Sequence, residues 1–405
     1  MLRPCLKKLL SCCSPNVVSS AWYQNFVTSD ALANLESLCD RYCPVPRFPP
    51  QKVTVIGAGS DVGRIVSLFL KQQKIVKQLA LWDECPERGV LGMANDLAHI
   101  DTSTEVEAYQ GRVFLRHALD DADVVVICGG CYVLPPCCNT PDRALFFDNM
   151  RLVRTVTIAC AEFAPHAIIA VQTPPVDCNF TLCKYTLKNA KAYDKRRVLG
   201  VNSINAMRAN QLFSALTDAD PTAGSTPVVG GTGRCTRVPV FSAGKAGNFP
   251  QTQVECLIRL VREADDIICK VKSNNEQGHL SIGFSTARCV LNIMKGMFAK
   301  PAVLDSALVE QADPEKCYGM KICATPVTIG KGGISEYAIP TLNEFETKLL
   351  EESNLIFSRC ELLDMLNMGR SFAMGEDYYL HECWFPKRYA KPCKVCQPIR
   401  KKNEE

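Results

Sequence analysis

The stretch KVTVIGAGSDVGRIVSLFLKQQ, residues 52–73, constrains the fold more strongly than any other part of the chain. An apolar run leads into a turn that contains Gly57, Gly59 and Gly63, and an amphipathic helical pattern follows directly. A strand, a glycine-rich turn and a helix in this order predict the first unit of a parallel βαβ arrangement. Such a turn either receives the phosphates of a dinucleotide at the helix N-terminus or only joins strand to helix.

Further strand and helix patterns alternate as far as about residue 200. Apolar strand patterns occur in QLALWD, ADVVVICGG, HAIIAVQTPP and RRVLGV, with helical patterns between several of them. This alternation predicts an α/β fold with a doubly wound parallel sheet of the Rossmann type over residues 51–200. Residues 201–370 mix long helices with strands, which predicts an α+β domain. Residues 1–50 are interpreted as a leader, and residues 371–405 as a basic tail that contains cysteines.

Two acidic residues near the glycine-rich turn have opposite implications for dinucleotide binding. Asp83 ends the second predicted strand, the position at which an acid binds the ribose hydroxyls of a dinucleotide. Asp61 instead places a carboxylate where phosphates would lie, and like charges there oppose binding. The turn is therefore predicted to bind a dinucleotide against an unfavourable charge, or to be a structural turn.

Charge and cysteine content exclude several classes of protein. The 46 Lys and Arg residues against 42 Asp and Glu give a net charge of +4 without a basic stripe, so a nucleic-acid partner is not expected. No apolar run approaches the roughly 18 residues that a membrane span needs. The 23 cysteines lie largely within predicted strands and helices, which indicates reduced thiols inside a cell and not a secreted disulfide framework.

The leader is basic and contains serines, with leucines at helical spacing and no acidic residue before Asp30. This composition is typical of a mitochondrial transit peptide. The alternative is a basic tail with no targeting role, which would leave the protein in the cytoplasm.

Seven stretches together are similar to the malate dehydrogenase branch of the lactate/malate dehydrogenase superfamily, most closely to its mitochondrial type. They are VTVIGAGSDVG with LALWD, NDLAHIDT, DADVVVICGG, VLGVNSINAMRAN, PVVGGTGRCTRVPVFS and CYGMKICATPVTIGKGGI, and they lie in the family's order between about residues 52 and 370. The resemblance implies NAD as coenzyme, a coenzyme domain, a substrate domain and a homodimer, with the NDLAHI helix at the dimer contact. It also implies coenzyme contacts from these residues: Gly57, Gly59, Ser60, Gly63, Asp83, Gly129, Gly130 and Asn149.

The residues that carry the family's chemistry are largely replaced. The family uses a histidine base after a GG pair, an aspartate that orients it, an asparagine, and arginines that bind the substrate carboxylates. Thr232 occupies the histidine position, Asn205 the aspartate position, Pro174 the asparagine position and Val133 that of the first loop arginine. A threonine hydroxyl is not a base near neutral pH, so we interpret the site as degenerate.

Three side chains keep an active enzyme open as an alternative. Arg208 matches the family's substrate arginine, although an ordinary helix arginine is the alternative interpretation. Arg143 lies near the position of a second loop arginine, with a register made uncertain by an insertion. His279 falls near a segment that borders the family's substrate pocket, so it is the candidate for a displaced base, or else a hydrogen-bonded or solvent-facing histidine.

Asp177, after Pro174, adds a carboxylate near an anionic substrate.

The tail contains His381, Cys383, Cys393 and Cys396. These residues are weak candidates for a tetrahedral zinc site, and the alternatives are an intermolecular disulfide or ordinary thiols. Aromatic and basic residues beside them suggest a docking segment for a protein partner.

Three functions follow from these observations. The first is a malate dehydrogenase-like protein that has lost catalysis and keeps some NAD binding, in a structural role. The second is an active NAD-dependent dehydrogenase of malate or a related 2-hydroxy acid. The third is a sensor or scaffold whose coenzyme occupancy controls a partner.

Overall fold

A computed structural model describes residues 51–132, 141–218, 220–222, 226–244, 249–272 and 277–357. Val133, the predicted leader and the tail with its candidate zinc ligands lie outside these residues. None of the helices in the described ranges is both long and apolar enough to cross a membrane.

Six parallel strands form the first half of the fold, in the order β3-β2-β1-β4-β5-β6. This is the doubly wound order of a Rossmann sheet, so the predicted fold class is confirmed. The strands are β1 (Lys52–Ile56), β2 (Gln78–Asp83), β3 (Glu105–Gln110), β4 (Val124–Ile127), β5 (Ile168–Val171) and β6 (Val198–Val201).

Helices cover both faces of this parallel sheet because its central strands are apolar on both sides. Val124 and Val126 of β4 pack in one buried cluster, and Val125 and Ile127 pack in the other. Such continuous apolar strands are typical of sheets that are buried on both faces. The helices of this half are α1 (Asp61–Lys71), α2 (Val90–Ala98), α3 (Leu115–Leu119), α4 (Pro141–Phe163) and α5 (Val176–Asn189).

The sheet continues past residue 200, where β6 pairs with an antiparallel strand, β9. Strands β9, β10, β7 and β8 extend it in that order, and β11 pairs with β10. The division into domains at residue 200 stays a prediction. The remaining elements are α6 (Ser203–Thr217), β7 (Val228–Gly230), β8 (Arg237–Pro239), α7 (Gln251–Val271), α8 (His279–Phe298), β9 (Ala302–Glu310), β10 (Ile322–Gly330), β11 (Gly333–Tyr337) and α9 (Glu344–Phe357).

The carboxyl ends of β1, β2, β4 and β5 lie side by side, since Ile56 is in register with both Trp82 and Ile127. The turns that follow these strands contain the predicted coenzyme residues. Ligands of open parallel sheets bind at this edge, so the topology brings the candidate residues together where a site is expected.

Candidate active site

The glycine-rich turn after β1 packs backbone against backbone. Gly57 has a φ of +76°, and a Cβ on it would lie 2.0 Å from the Cα of Gly129, at the end of β4. A Cβ on Gly63 would lie 2.2 Å from the carbonyl oxygen of Gly57. The turn is therefore a cradle of the kind that admits a pyrophosphate, and its glycines are needed for packing even without one.

Ser60 is the N-cap of α1. Its Oγ accepts a hydrogen bond from the Gly63 N–H over 3.1 Å and donates to the Gly57 carbonyl over 2.7 Å. Asp61 follows at the start of the helix, and its Oδ2 lies 3.5 Å from Nδ1 of His279. The edge of the mostly buried His279 ring also contacts Tyr132. The histidine considered as a displaced base is thus paired with the carboxylate of the nucleotide turn.

Asp83, at the end of β2, is buried and already holds two backbone groups. Its Oδ2 accepts from the Gly59 N–H over 3.1 Å, and its Oδ1 accepts from the Cys85 N–H over 3.0 Å. These bonds place the carboxylate beside the glycine-rich turn, as a ribose site requires.

Asn149 of α4 is buried and joins two turns at the same edge. Its Oδ1 accepts from the Cys131 N–H over 2.7 Å, and its Nδ2 donates to the carbonyls of Cys131 and Pro174 over 2.8 and 2.7 Å. A Cβ on Gly130, which has a φ of +107°, would lie 2.4 Å from that Oδ1. Asn149 therefore shapes the turns around the expected coenzyme site.

The loop arginine candidate, Arg143, lies in the first turn of α4. Its guanidinium carbon is 5.9 Å from the centre of the Phe147 ring, one turn further along the helix. This contact places the Arg143 guanidinium over an aromatic face of its own helix.

Thr232 lies in the turn between β7 and β8, and its hydroxyl acts as a hydrogen-bond donor. Oγ1 donates to Oδ2 of Asp177 over 2.9 Å, the Thr232 N–H donates to Oδ1 over 3.0 Å, and the Gly233 N–H donates to Oδ2 over 3.2 Å. Asp177 is in the first turn of α5 and is buried. These hydrogen bonds therefore hold the turn between β7 and β8 against the first turn of α5.

Burial raises the pKa of Asp177, and the hydrogen bonds from Thr232 and Gly233 oppose that rise. Both carboxylate oxygens accept hydrogen bonds from the turn, which hold the carboxylate in place. The carboxylate fits an anchoring role better than that of a proton acceptor.

Asn205 of α6, predicted to replace the family's orienting aspartate, lies next to Thr232. Its Nδ2 is 3.5 Å from the Thr232 carbonyl and donates to Oδ1 of Asn202 over 2.6 Å, and its Oδ1 accepts from Nη1 of Arg237 over 2.6 Å. The structure therefore places Asn205 beside Thr232, and both side chains bond to other groups of the protein.

Arg208, the candidate substrate arginine, is bound to a carboxylate of the protein itself. Its Nη2 donates to Oδ1 of Asp265 over 2.6 Å, and Nη2 of Arg237 donates to Oδ2 of the same residue over 2.9 Å. Burial opposes ionisation of Asp265, but the charges and hydrogen bonds of Arg208 and Arg237 outweigh it and lower its pKa to about 2. Nη1 of Arg208 is buried and has no partner among the described residues, so one donor remains for a ligand.

These contacts form a continuous set, which we call the polar network: Asp177, Thr232, Asn205, Arg237, Asp265 and Arg208. Asp177, Thr232, Asn205 and Arg208 were candidates from the sequence alone. Arg237 and Asp265 were not predicted. The available signals were weak, namely an arginine inside the apolar strand RVPVF and an aspartate pair in the helix READDIICK. A buried arginine requires a counter-charge, which is the physical reason the two belong together.

Within the ranges that the structure describes, no group of three or more His, Cys, Asp or Glu side chains is placed to hold a metal ion.

The fold and the glycine cradle define a dinucleotide-type α/β protein whose parallel sheet is extended by a second, antiparallel part. Residues 51–200 match the family described as lactate/malate dehydrogenase, NAD binding domain, and residues 203–367 match the lactate/malate dehydrogenase alpha/beta C-terminal domain. The chain belongs to the lactate/malate dehydrogenase family and is a malate dehydrogenase-like protein, as the resemblance indicated.

Individual relatives agree with this assignment. Human mitochondrial malate dehydrogenase is 32% identical over 304 residues, which cover 75% of this chain and 87% of that protein, and the rat enzyme is 31% identical over the same length. Among solved structures, malate dehydrogenase from Salinibacter ruber matches with a TM-score of 0.65 at 22% identity, covering 79% of this chain and 99% of that one. Lactate dehydrogenase from Eimeria maxima matches with a TM-score of 0.66 at 20% identity, covering 80% and 97%. These structures support the fold.

Proposed function

We propose that this chain is a catalytically degenerate malate dehydrogenase-like protein that retains dinucleotide binding and acts in a structural or ligand-sensing role. The observation that carries the proposal is the hydrogen bond from the Thr232 hydroxyl to Asp177. A dehydrogenase needs a proton acceptor at this position, and the group present there donates a proton to its neighbour in a hydrogen bond.

The lost base alone is worth a large factor in rate. Removing a general acid–base group typically costs about 10²–10⁴-fold. Asn205 adds to this loss, because a neutral amide that already accepts from Arg237 cannot stabilise a protonated base beside Thr232. The two changes together favour a site without efficient hydride-transfer chemistry.

Substrate binding is also opposed by the polar network. A dicarboxylate at Arg208 would compete with Asp265, which already takes one guanidinium nitrogen from each of two arginines. Pro174 stands where the family has an asparagine. Asp177, three residues further on, contributes a second negative charge near the expected substrate. Both carboxylates disfavour an anionic substrate.

Dinucleotide binding is supported by the cradle at the carboxyl edge of the sheet. The turn from Gly57 to Gly63 would receive the pyrophosphate, and Asp83 lies beside it at the ribose end. When bound, NAD would supply the hydride acceptor of the family reaction. In this chain the Asp61–His279 pair lies at the same turn, and its carboxylate would weaken phosphate binding.

Assembly and location follow the family in this proposal. We infer a homodimer through α2, which carries the half-exposed apolar side chain of Leu91. We also propose a mitochondrial location on the leader composition, with the cytoplasm as alternative, and a protein partner for the tail.

The decisive experiment measures oxaloacetate-dependent oxidation of NADH by the purified protein at micromolar concentration and neutral pH. We expect no turnover above a heat-inactivated control, while a mitochondrial malate dehydrogenase in the same buffer turns over normally. Appreciable turnover that disappears in a His279→Ala variant would instead establish an active enzyme with a displaced base. NADH binding is measured separately by calorimetry, in the wild type and in Asp61→Gly, and its absence in both would exclude the retained coenzyme site.

A further inference from the structure

The adenosine end of the cradle carries charges that an NAD-selective site does not need. Asp83 is 2% exposed, and the hydrogen bonds from Gly59 and Cys85 already engage both of its oxygens. Nη1 of Arg88 lies 3.6 Å from Oδ2 of the same carboxylate. An acid that selects a ribose diol does so through its lone pairs and its negative charge, and here neither is fully free.

Arg88 lies directly against the glycine-rich turn. A Cβ on Gly59 would be 2.6 Å from the Cβ of Arg88 and 3.1 Å from its carbonyl oxygen. The Arg88 side chain is one-third exposed, so its guanidinium remains open to solvent at the mouth of the cradle. An adenine ribose bound at the Asp83 carboxylate would place its 2′ position close to this guanidinium, which lies 3.6 Å from the same carboxylate.

A second arginine reaches the same point from α1. Nη2 of Arg64 donates to the Arg88 carbonyl over 3.2 Å, and the Arg64 side chain is exposed. A guanidinium with its remaining donors in solvent is suited to phosphate, which it binds in a planar fork.

The acidic side chains nearby are balanced by this arrangement. Glu84 pairs with Arg112, and Asp83 pairs with Arg88. The negative field that makes an acidic β2 terminus reject a phosphorylated ribose is thereby offset.

We propose that this edge accepts a 2′-phosphorylated adenine ribose, so that NADPH binds at least as tightly as NADH, with Arg88 and Arg64 as phosphate ligands. The proposal rests on the retained dinucleotide binding proposed above. It adds a specificity that the match to an NAD-binding domain does not contain.

The test is calorimetry of the full chain with NADPH and NADH, together with the fragments adenosine 2′,5′-bisphosphate and 5′-AMP. We expect NADPH to bind at least as tightly as NADH, and adenosine 2′,5′-bisphosphate at least as tightly as 5′-AMP. Arg88→Ala should weaken NADPH and the bisphosphate about tenfold or more, because a charged hydrogen bond to phosphate is lost, and should not weaken NADH or 5′-AMP, because it also frees Asp83 for the ribose diol. Arg259→Ala, an exposed arginine on α7, is the control with the same change of charge.

Two results would overturn the proposal and are distinct from each other. If NADH binds and NADPH binds tenfold more weakly, or if Arg88→Ala weakens both alike, the specificity is wrong while dinucleotide binding stands. If none of the four ligands binds to folded protein, retained dinucleotide binding fails as well. Circular dichroism of each variant establishes that it is folded.

Discussion

The nucleotide turn and the surroundings of Thr232 differ in which of their groups the protein itself engages. Around Gly57 and Gly129 the backbone contacts that form the cradle are intact, and the changes are charged side chains at its rim. Around Thr232 the side chains of the polar network bond to one another. The difference is that backbone packing maintains the cradle, whereas the polar side chains around Thr232 are engaged by the protein itself.

The largest effect is expected at the cradle. Gly57→Ala places a Cβ 2.0 Å from the Gly129 backbone at a φ of +76°, so neither side can move without disturbing two strands. We expect a loss of about 4 kcal/mol or more in the free energy of unfolding, measured by urea denaturation. The control is Gly89→Ala, which has a φ of +61° but nothing within 4 Å and should cost only about 1–2 kcal/mol of backbone strain. Equal losses in the two variants would mean that the cradle is not sterically restricted.

A smaller effect is expected in the polar network. Asp265→Asn leaves Arg208 and Arg237 buried without their shared counter-charge, and we expect a loss of about 3 kcal/mol in the free energy of unfolding. The neighbouring Asp266→Asn is a matched control, because Asp266 pairs with Arg234 at the surface and should cost under about 1 kcal/mol. Similar values for the two variants would show that the network is not the main stabilising feature of the Thr232 region.

The same ion pairs give the wild type a defined dependence on pH. The Asp265 pKa is lowered in the fold from 3.8 to about 2, so its stabilising contribution is complete above pH 4 and is lost as the pH falls from about 4 to 2. The contribution is about 2 kcal/mol. Denaturation of wild type and Asp265→Asn across this range should therefore converge toward low pH. A constant difference between the two would assign the stability to some other group.

The smallest effect is expected at Thr232 itself. Thr232→Val removes the hydroxyl that donates to Asp177 while two backbone donors remain, and we expect a loss of about 1.5 kcal/mol. Thr232→Ser keeps the donor and should stay close to the wild type. Thr222→Val, which removes an exposed hydroxyl bonded to Asp220, should change stability by less than about 0.5 kcal/mol. If Thr232→Val has the same free energy of unfolding as the wild type, the hydroxyl of Thr232 has no structural role.

Local patterns in the sequence were sufficient for the parallel half of the fold. Alternating strands and helices and the glycine-rich turn predicted the doubly wound sheet, because each signal depends on neighbouring residues. The absence of a base at Thr232 stays a prediction, made from one residue within a recognisable stretch. The partners of the site residues could not be predicted this way, since nothing in the segment around Arg208 indicates which distant carboxylate it contacts.

By itself, then, the sequence determined the fold class and the family. The tertiary structure decided which partners the candidate site residues contact. Thr232 and Asp177 are separated by 55 residues, Arg208 and Asp265 by 57, and Gly59 and Asp83 by 24, and only the packed fold brings each pair within hydrogen-bond distance. Hydrogen bonds and ion pairs act over a few ångströms in space, whereas sequence patterns report only on neighbours along the chain.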